Sequence, residues 1–385
     1  MRKMKIELSF VSSITFRTFS TALVASTLLL SPTSWAGSSC KITLAGNEVS
    51  LSKKIRSQVG VYWEFMKREA PLTELLPFLA FEGVVAGDPH LGNASTIPAK
   101  LKNSTKRKIM FLNIDFDDAG RAPFVLDFLR LIITSEAINP DIKKRHMVDA
   151  YLSGLKGENI APPEKIDKLL RMPIAKYDSL VAEYVTDKTK GDKFKFKEGK
   201  LTPFEHENIT RDDVVAALPE YAKILDLGIR PVESGGSSGN LRIWALVETS
   251  EGQRTIVELK QYVKSTLTAY GTQTSWNVWL NEVREVFWPN VEPSSYDLVE
   301  VGSSGLFWKR EKKIPLIDIP YSSSKKENIQ FVNDLAIFNA NQMGLAHGRQ
   351  SSADGLRQLI EKDPTAFREA LKPLAKKFTK WIVHQ

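Results

Sequence analysis

Residues 87–93 read Gly87-Asp88-Pro89-His90-Leu91-Gly92-Asn93, and residues 108–117 read KIMFLNIDFD, an apolar run ending in Asp115-Phe116-Asp117. The first is a polar loop, and the second has the pattern of a short buried strand with carboxylates at its end. Phosphoryl transfer needs a carboxylate to accept the hydroxyl proton, and an amide oxygen with a second carboxylate to hold Mg²⁺ against the phosphates. An Asp followed five residues later by Asn, and then an Asp at a strand end, supplies all three. In this reading Asp88 is the base, Asn93 and Asp115 are metal ligands, and Asp117 stands beside them. A plainer reading stays open, in which Asp88 and Asn93 hydrogen-bond their own backbone in a turn.

Further along, Ser234-Gly235-Gly236-Ser237-Ser238-Gly239 precedes two β-favouring runs, LRIWALVET from Leu241 and TIVELKQYV from Thr255, with Glu251-Gly252 as the turn between them. Glycine N–H groups can lie over phosphates because no side chain holds them away, and a strand lysine can reach the α- and β-phosphates. Gly235, Gly236, Ser237 and Gly239 are therefore candidate nucleotide contacts, with Lys260 on the phosphates. Small residues at a hairpin turn and a lysine snorkelling from a half-buried strand would give the same letters. Glu282 and Glu285, on the helical stretch after Lys260, are candidate partners of that lysine or simply a solvated helix face. His90 can orient the polar loop. Trp276, Trp279, Trp288 and Trp308 read as core.

The rest of the chain arranges itself around these motifs. Residues 37–225 have mainly helical periodicity, as in Leu51, Ile55, Val59, Trp63 and Met66. Residues 226–312 are β-rich with one helix, and residues 313–385 return to helical spacing and are expected to pack back on the first block. The expectation is an α+β protein of two lobes. Arg2, Lys3, Lys5 and Arg17, the apolar run from Thr21 to Leu30 and the small residues Ser34 and Ala36 make residues 1–36 read as an export signal cleaved after Ala36. The apolar run is shorter than the ~20 residues a spanning helix needs, so no stable transmembrane segment is expected after cleavage. The expected location is periplasmic or secreted.

A single cysteine, Cys40, excludes an intrachain disulfide and any multi-cysteine metal site. The five histidines show no metal-ligand spacing, which counts against a dinuclear phosphoesterase. The formal net charge of +8 suits an anionic partner. The densest lysine run, Lys188 to Lys200, reads as a solvated loop, and nucleic acid is not the expected partner.

At the quoted motifs the chain resembles a bacterial family known as domain of unknown function 2252. That family carries a Gly-Asp-x-His-x-x-Asn loop, an Asp-Phe-Asp strand end and an Asp-Leu-x-Arg-Leu helix start, matched here by Gly87 to Asn93, Asp115 to Asp117, and Asp127-Phe128-Leu129-Arg130-Leu131. Its later glycine-serine turn and strand lysine match Gly235 to Gly239 and Lys260. The family looks like a distant relative of aminoglycoside phosphotransferases and protein kinases. The resemblance implies a two-lobed, protein-kinase-like fold with a circularly permuted motif order, since the catalytic-loop-like motif here precedes the glycine loop. It implies ATP or another nucleotide with Mg²⁺ as cofactors and a small-molecule or protein hydroxyl as acceptor. The competing expectation is an exported, non-catalytic ligand-binding protein that keeps the fold. A metal-dependent phosphate-ester hydrolase using the same acids is a third.

Overall fold

The structure is a computed structural model, and it describes residues 41–44, 47–231, 239–263, 267, 276–292, 296–311, 316–320 and 325–384. Residues 1–36, where an export signal is expected, Cys40, and Gly235, Gly236 and Ser237 of the glycine-serine turn lie outside them. Ser39–Gln385 make up one compact unit of mixed α+β architecture.

The first part opens with a small hairpin, β1 (Lys41–Leu44) and β2 (Asn47–Ser50), and two helices, α1 (Leu51–Ser57) and α2 (Val59–Glu69). Two antiparallel strand pairs follow. β3 (Glu82–Val85) pairs with β6 (Gly120–Pro123), and between them in sequence β4 (Ala94–Lys100) pairs with β5 (Arg107–Asn113). β6 runs straight into α3 (Phe124–Glu136), which is followed by α4 (Lys144–Leu155), α5 (Glu164–Leu170) and α6 (Ile174–Lys188). The lysine run forms a two-residue ladder, β7 (Thr189–Lys190) with β8 (Lys193–Phe194), ahead of β9 (Thr202–Pro203) and α7 (Arg211–Ala216).

The second part is an antiparallel sheet in the order β13-β14-β12-β11-β10-β9. It comprises β10 (Lys223–Ile229), β11 (Arg242–Glu248), β12 (Arg254–Gln261), β13 (Tyr296–Glu300) and β14 (Leu306–Glu311), with α8 (Trp276–Phe287) between β12 and β13. Three helices close the chain: α9 (Lys326–Gly348), α10 (Ala353–Lys362) and α11 (Pro364–Val383). Among the described residues no helix is long and apolar enough to cross a membrane.

The core is built around α3. Its sequence, FVLDFLRLIITSE, is apolar on every side, as expected of a helix with no solvent face, and Phe124 to Ser135 are all buried. α9 packs on α3 and α4, while α11 packs on α3 and α2, so the C-terminal helices return to the first block. One face of the sheet is covered by α7 and the two residues after it, through Val214, Ala217 and Leu218, against Ile243, Ala245 and Leu259. Phe116, Trp279, Trp288, Tyr296 and Trp308 join the strand pairs, α8 and the sheet in one aromatic cluster. The tryptophans described there are core.

The strand pairing explains why the two quoted motifs meet. Loop 86–93 connects β3 to β4 and turn 114–119 connects β5 to β6. With Val85 opposite Gly120 and Ala94 opposite Asn113, both connections leave at the same place. The Ile114 N–H donates to the Asn93 carbonyl at 2.8 Å. Gly87 is required by this approach: its φ is +78°, and a Cβ there would lie 1.8 Å from the Asp118 carbonyl oxygen.

α4 and α9 also meet through glycine. A Cβ on Gly344 would lie 2.2 Å from the Tyr151 carbonyl oxygen, and one on Gly154 would lie 2.3 Å from that of Asn341. Helix propensity alone would favour Ala over Gly by ~1 kcal/mol, whereas forcing packed backbones apart costs ~1–3 kcal/mol. Gly344→Ala is therefore expected to lower the denaturant midpoint, and a variant as stable as wild type would contradict this contact.

Candidate active site

Loop 86–93 carries the first set of candidates, and α3 holds it. Asp127, Arg130 and Thr134 are spaced by three and four residues, which puts them on one stripe of the helix. Asp127 accepts the Ala86 and Gly87 N–H groups at 3.0 and 2.9 Å. Arg130 donates to Asp88 Oδ1 from Nε at 2.7 Å and from Nη2 at 2.5 Å. Thr134 Oγ1 lies 3.2 Å from the Pro89 carbonyl and nearer, at 2.9 Å, to the Arg130 carbonyl of its own helix. From α2, Trp63 Nε1 donates to the Gly87 carbonyl at 2.8 Å. Arg130 is fully buried and stacks over Tyr62, 4.9 Å from ring centroid to Cζ. Behind Asp127, His347 Nε2 lies 3.3 Å from Oδ2, and the Tyr151 hydroxyl lies 2.9 Å from His347 Nδ1.

The other side of Asp88 faces the site. Its Oδ2 is 3.7 Å from His90 Nε2. Burial pulls the His90 pKa down to about 4 against the attraction of Asp88, so at neutral pH this contact is not an ion pair. His90 Nδ1 accepts the Gly92 N–H at 3.0 Å, which puts the single ring proton on Nε2, toward Asp88. Asn93 Nδ2 donates to the Asp88 carbonyl at 3.0 Å. That bond is the backbone contact of the plainer turn reading, and it leaves the amide oxygen as the ligand-capable end of Asn93.

Turn 114–119 brings the second set. Phe116 is fully buried and its N–H donates to the Tyr296 hydroxyl at 3.1 Å. Anchored through Phe116, the turn presents Asp115 and Asp117 to the sheet. Lys260 Nζ forms an ion pair with Asp117, and Arg310 Nη1 lies 4.0 Å from Asp115 Oδ1. Burial lowers the Lys260 pKa to about 8; Asp115 and Asp88 oppose that shift and Arg310 adds to it. The structure thus brings Asp88, Asn93, Asp115, Asp117 and Lys260 together. Gly239 is described as a turn residue with φ +81° and open space around it.

Of the two readings open for the helix after Lys260, the pairing with that lysine is not the one seen. Glu282 on α8 faces Arg121, with Nε 3.5 Å from Oε2, and Glu285 is exposed. Sequence reasoning also missed Glu258, fully buried on β12 and two residues before Lys260. It accepts from Arg310 Nε at 2.7 Å, Arg242 Nη1 at 3.2 Å and Trp244 Nε1 at 2.9 Å. The available signal was an acid and a base alternating in the otherwise apolar run TIVELK, which places both on one face of a strand. For α3 the signal was a charged stripe inside an apolar helix.

Whether these residues suit a divalent cation can be judged from their oxygens. Asp115 Oδ1 and Asp117 Oδ1 are buried and have no hydrogen-bond partner among the described residues, the condition in which a carboxylate oxygen gains most from a cation. Two carboxylates and an amide oxygen are hard donors, and Mg²⁺ typically takes one or two carboxylates with phosphate oxygens completing its shell. Among the described residues no cluster of three or more His, Cys, Asp or Glu is arranged to hold an ion without such help. Comparison with protein-family models, with curated proteins and with solved structures returns no match for the chain.

His90 ties stability to pH. Its folded pKa of about 4 lies below the ordinary 6.5, so between these values the unfolded chain takes up a proton that the folded one refuses. The folded state keeps its full advantage above pH 6.5 and loses about 3 kcal/mol as pH falls toward 4. His90→Gln should show a shallower fall across that window in denaturant titrations. An unchanged pH slope would contradict the buried, neutral ring.

Proposed function

We propose that this chain is a kinase-like phosphotransferase that takes a phosphoryl group from a nucleotide with Mg²⁺ and passes it to a hydroxyl acceptor. The observation that carries the reading is the convergence of Asp88, Asp115, Asp117 and Lys260, from three separate segments, with Asp115 Oδ1 and Asp117 Oδ1 buried and lacking a hydrogen-bond partner among the described residues. The resemblance to domain of unknown function 2252, and through it to a permuted, two-lobed protein-kinase-like fold, points the same way.

Asn93, Asp115 and Asp117 would hold the cation. When bound, it supplies charge neutralisation to the phosphate oxygens. Lys260, now against Asp117, would turn its ammonium to those oxygens. Asp88 is held through Oδ1 by Arg130, which fixes the carboxylate and leaves Oδ2 to accept the hydroxyl proton. His90, neutral and with its proton toward Oδ2, would help set the direction in which that oxygen accepts. Gly235, Gly236, Ser237 and Gly239 are assigned to the phosphates on sequence grounds.

A second reading has a specific observation behind it. Arg130 occupies one oxygen of Asp88 and Lys260 occupies Asp117, and an exported chain, as residues 1–36 imply, meets little ATP. Both suit a ligand-binding protein that transfers nothing. Asp88→Asn separates the two. With γ-labelled ATP and Mg²⁺, the transferase reading predicts that label transfer to water or to the protein falls by orders of magnitude while ATP affinity is retained. A wild-type protein that binds ATP and transfers no label would favour the binding protein.

Lys260 supplies a pH test. Its charge is lost as pH rises through about 8, so ATP affinity should fall above that pH in wild type and stay level in Lys260→Arg. Parallel profiles for the two proteins would remove Lys260 from the phosphate contacts.

A further inference from the structure

The sheet carries more cationic charge toward the site than Lys260 alone. In the register of β11 and β12, Arg242 stands opposite Lys260. Arg230, just past the end of β10, donates its N–H to the Arg242 carbonyl and continues the same row. In the next row Arg310 on β14 stands opposite Glu258. Directly opposed like charges destabilise a sheet, yet three strands in succession place Arg230, Arg242 and Lys260 side by side.

One sheet carboxylate answers them. Glu258 takes Arg310 through Nε and Nη2, takes Arg242, and lies 3.7 Å from Arg230 Nη1. Its oxygens are used up, and Arg242 Nε remains buried without a hydrogen-bond partner among the described residues. Burial holds the Arg242 guanidinium below its ordinary value, with Glu258 opposing and Arg310 adding to the shift. Lys260 is answered from outside the sheet by Asp117 and Arg310 has Asp115 at 4.0 Å, so four cations face three carboxylates and the Arg242 Nε donor is left to spare.

Further along the same face the strands carry Leu246 and Ile256, and these are already covered by Val185, Phe194 and Leu201 from α6 and the segment after it. Arg230 lies over Trp244, 5.1 Å from the ring centroid. This face therefore offers fixed donors for oxygens, while its apolar part is filled by the chain itself.

We propose that Arg230, Arg242, Lys260 and Arg310 form one subsite for a linear phosphate chain, recognised through its oxygens, so that inorganic tripolyphosphate binds here as a nucleoside triphosphate does. The proposal rests on the phosphotransferase reading and specifies its donor as a phosphate chain in which the base contributes little. Glu258 is the positioning residue that holds the two most buried guanidinium groups in line.

The test is calorimetric titration of the chain with tripolyphosphate, ATP and adenosine, each with Mg²⁺, in wild type, Arg242→Gln and Arg242→Lys, with near-ultraviolet circular dichroism to establish folding. Tripolyphosphate is expected to bind within about tenfold of ATP and to be displaced by it, and adenosine is expected not to bind. Arg242→Gln should weaken both phosphate ligands by about tenfold or more, and Arg242→Lys should recover part of the loss. ATP binding without tripolyphosphate binding would overturn this proposal and leave the phosphotransferase reading standing. Tripolyphosphate that ATP does not displace, or equal affinities in wild type and folded Arg242→Gln, would also overturn it. Failure of a folded wild type to bind either ligand would remove both.

Discussion

A helix with no solvent face cannot carry an unpaired charge, and α3 carries two charged residues and a hydroxyl on one stripe. Asp127, Arg130 and Thr134 are fully buried, and leaving a buried charge unpaired costs ~3–5 kcal/mol. Loop 86–93 supplies partners to both charges through two N–H groups and a carboxylate, and its Pro89 carbonyl comes within 3.2 Å of the Thr134 hydroxyl. The dependence is mutual, because a loop carrying Ala86 N–H and Gly87 N–H into the interior needs acceptors as much as the helix needs donors. Since β6 leads directly into α3, the same constraint fixes the end of β3 and turn 114–119. Gln350, just past α9, closes the remaining edge of β3, accepting from Val84 N–H at 2.7 Å and donating to its carbonyl at 2.9 Å.

The chemistry follows from what this frame exposes. Asp88 is fixed on one side, and Asp115 and Asp117 are thrown forward by an anchored Phe116. The sheet answers with Lys260, Arg242 and Arg310 around Glu258. Acids come from the strand-pair side and cations from the sheet side, so a phosphate chain with a cation would find both halves of its surroundings prepared. The lowered pKa of Lys260 and the raised one of Arg310 have opposite origins. Burial disfavours both charges, and for Arg310 the nearness of Glu258 and Asp115 outweighs it.

Much of the architecture could be read from the sequence where periodicity was unbroken. Strands β11 and β12 and the strand ending before Asp115 fall where spacing put them, the β-rich block holds the helix α8, and the residues after 313 return to helices. The helical spacing through Leu51, Ile55, Val59, Trp63 and Met66 is split at Gln58, whose φ and ψ of −121° and 56° leave the helix. β4 was hidden because Pro98 sits inside it, which is tolerated in a two-stranded pair with free edges. Within the site, Asp88, Asn93, Asp115, Asp117 and Lys260 were visible because loop and strand-end acids stand out against apolar neighbours. Arg130, Glu258, Arg242 and Arg310 were not assigned roles, because each acts through partners 14 to 52 residues away in sequence. Which charges meet across strands depends on sheet order, and β14 next to β12 is a crossover that no local pattern announces.

The central claim is that the acids of turn 114–119 hold a cation for a phosphate ligand beside Lys260. It is tested most directly by calorimetric titration of the chain with ATP, with and without Mg²⁺, in wild type and Asp115→Ala. The account predicts ATP binding that strengthens with Mg²⁺ in wild type and a folded Asp115→Ala protein in which the Mg²⁺ effect is lost. ATP affinity indifferent to Mg²⁺ in wild type, or an undiminished Mg²⁺ effect in the variant, would contradict it.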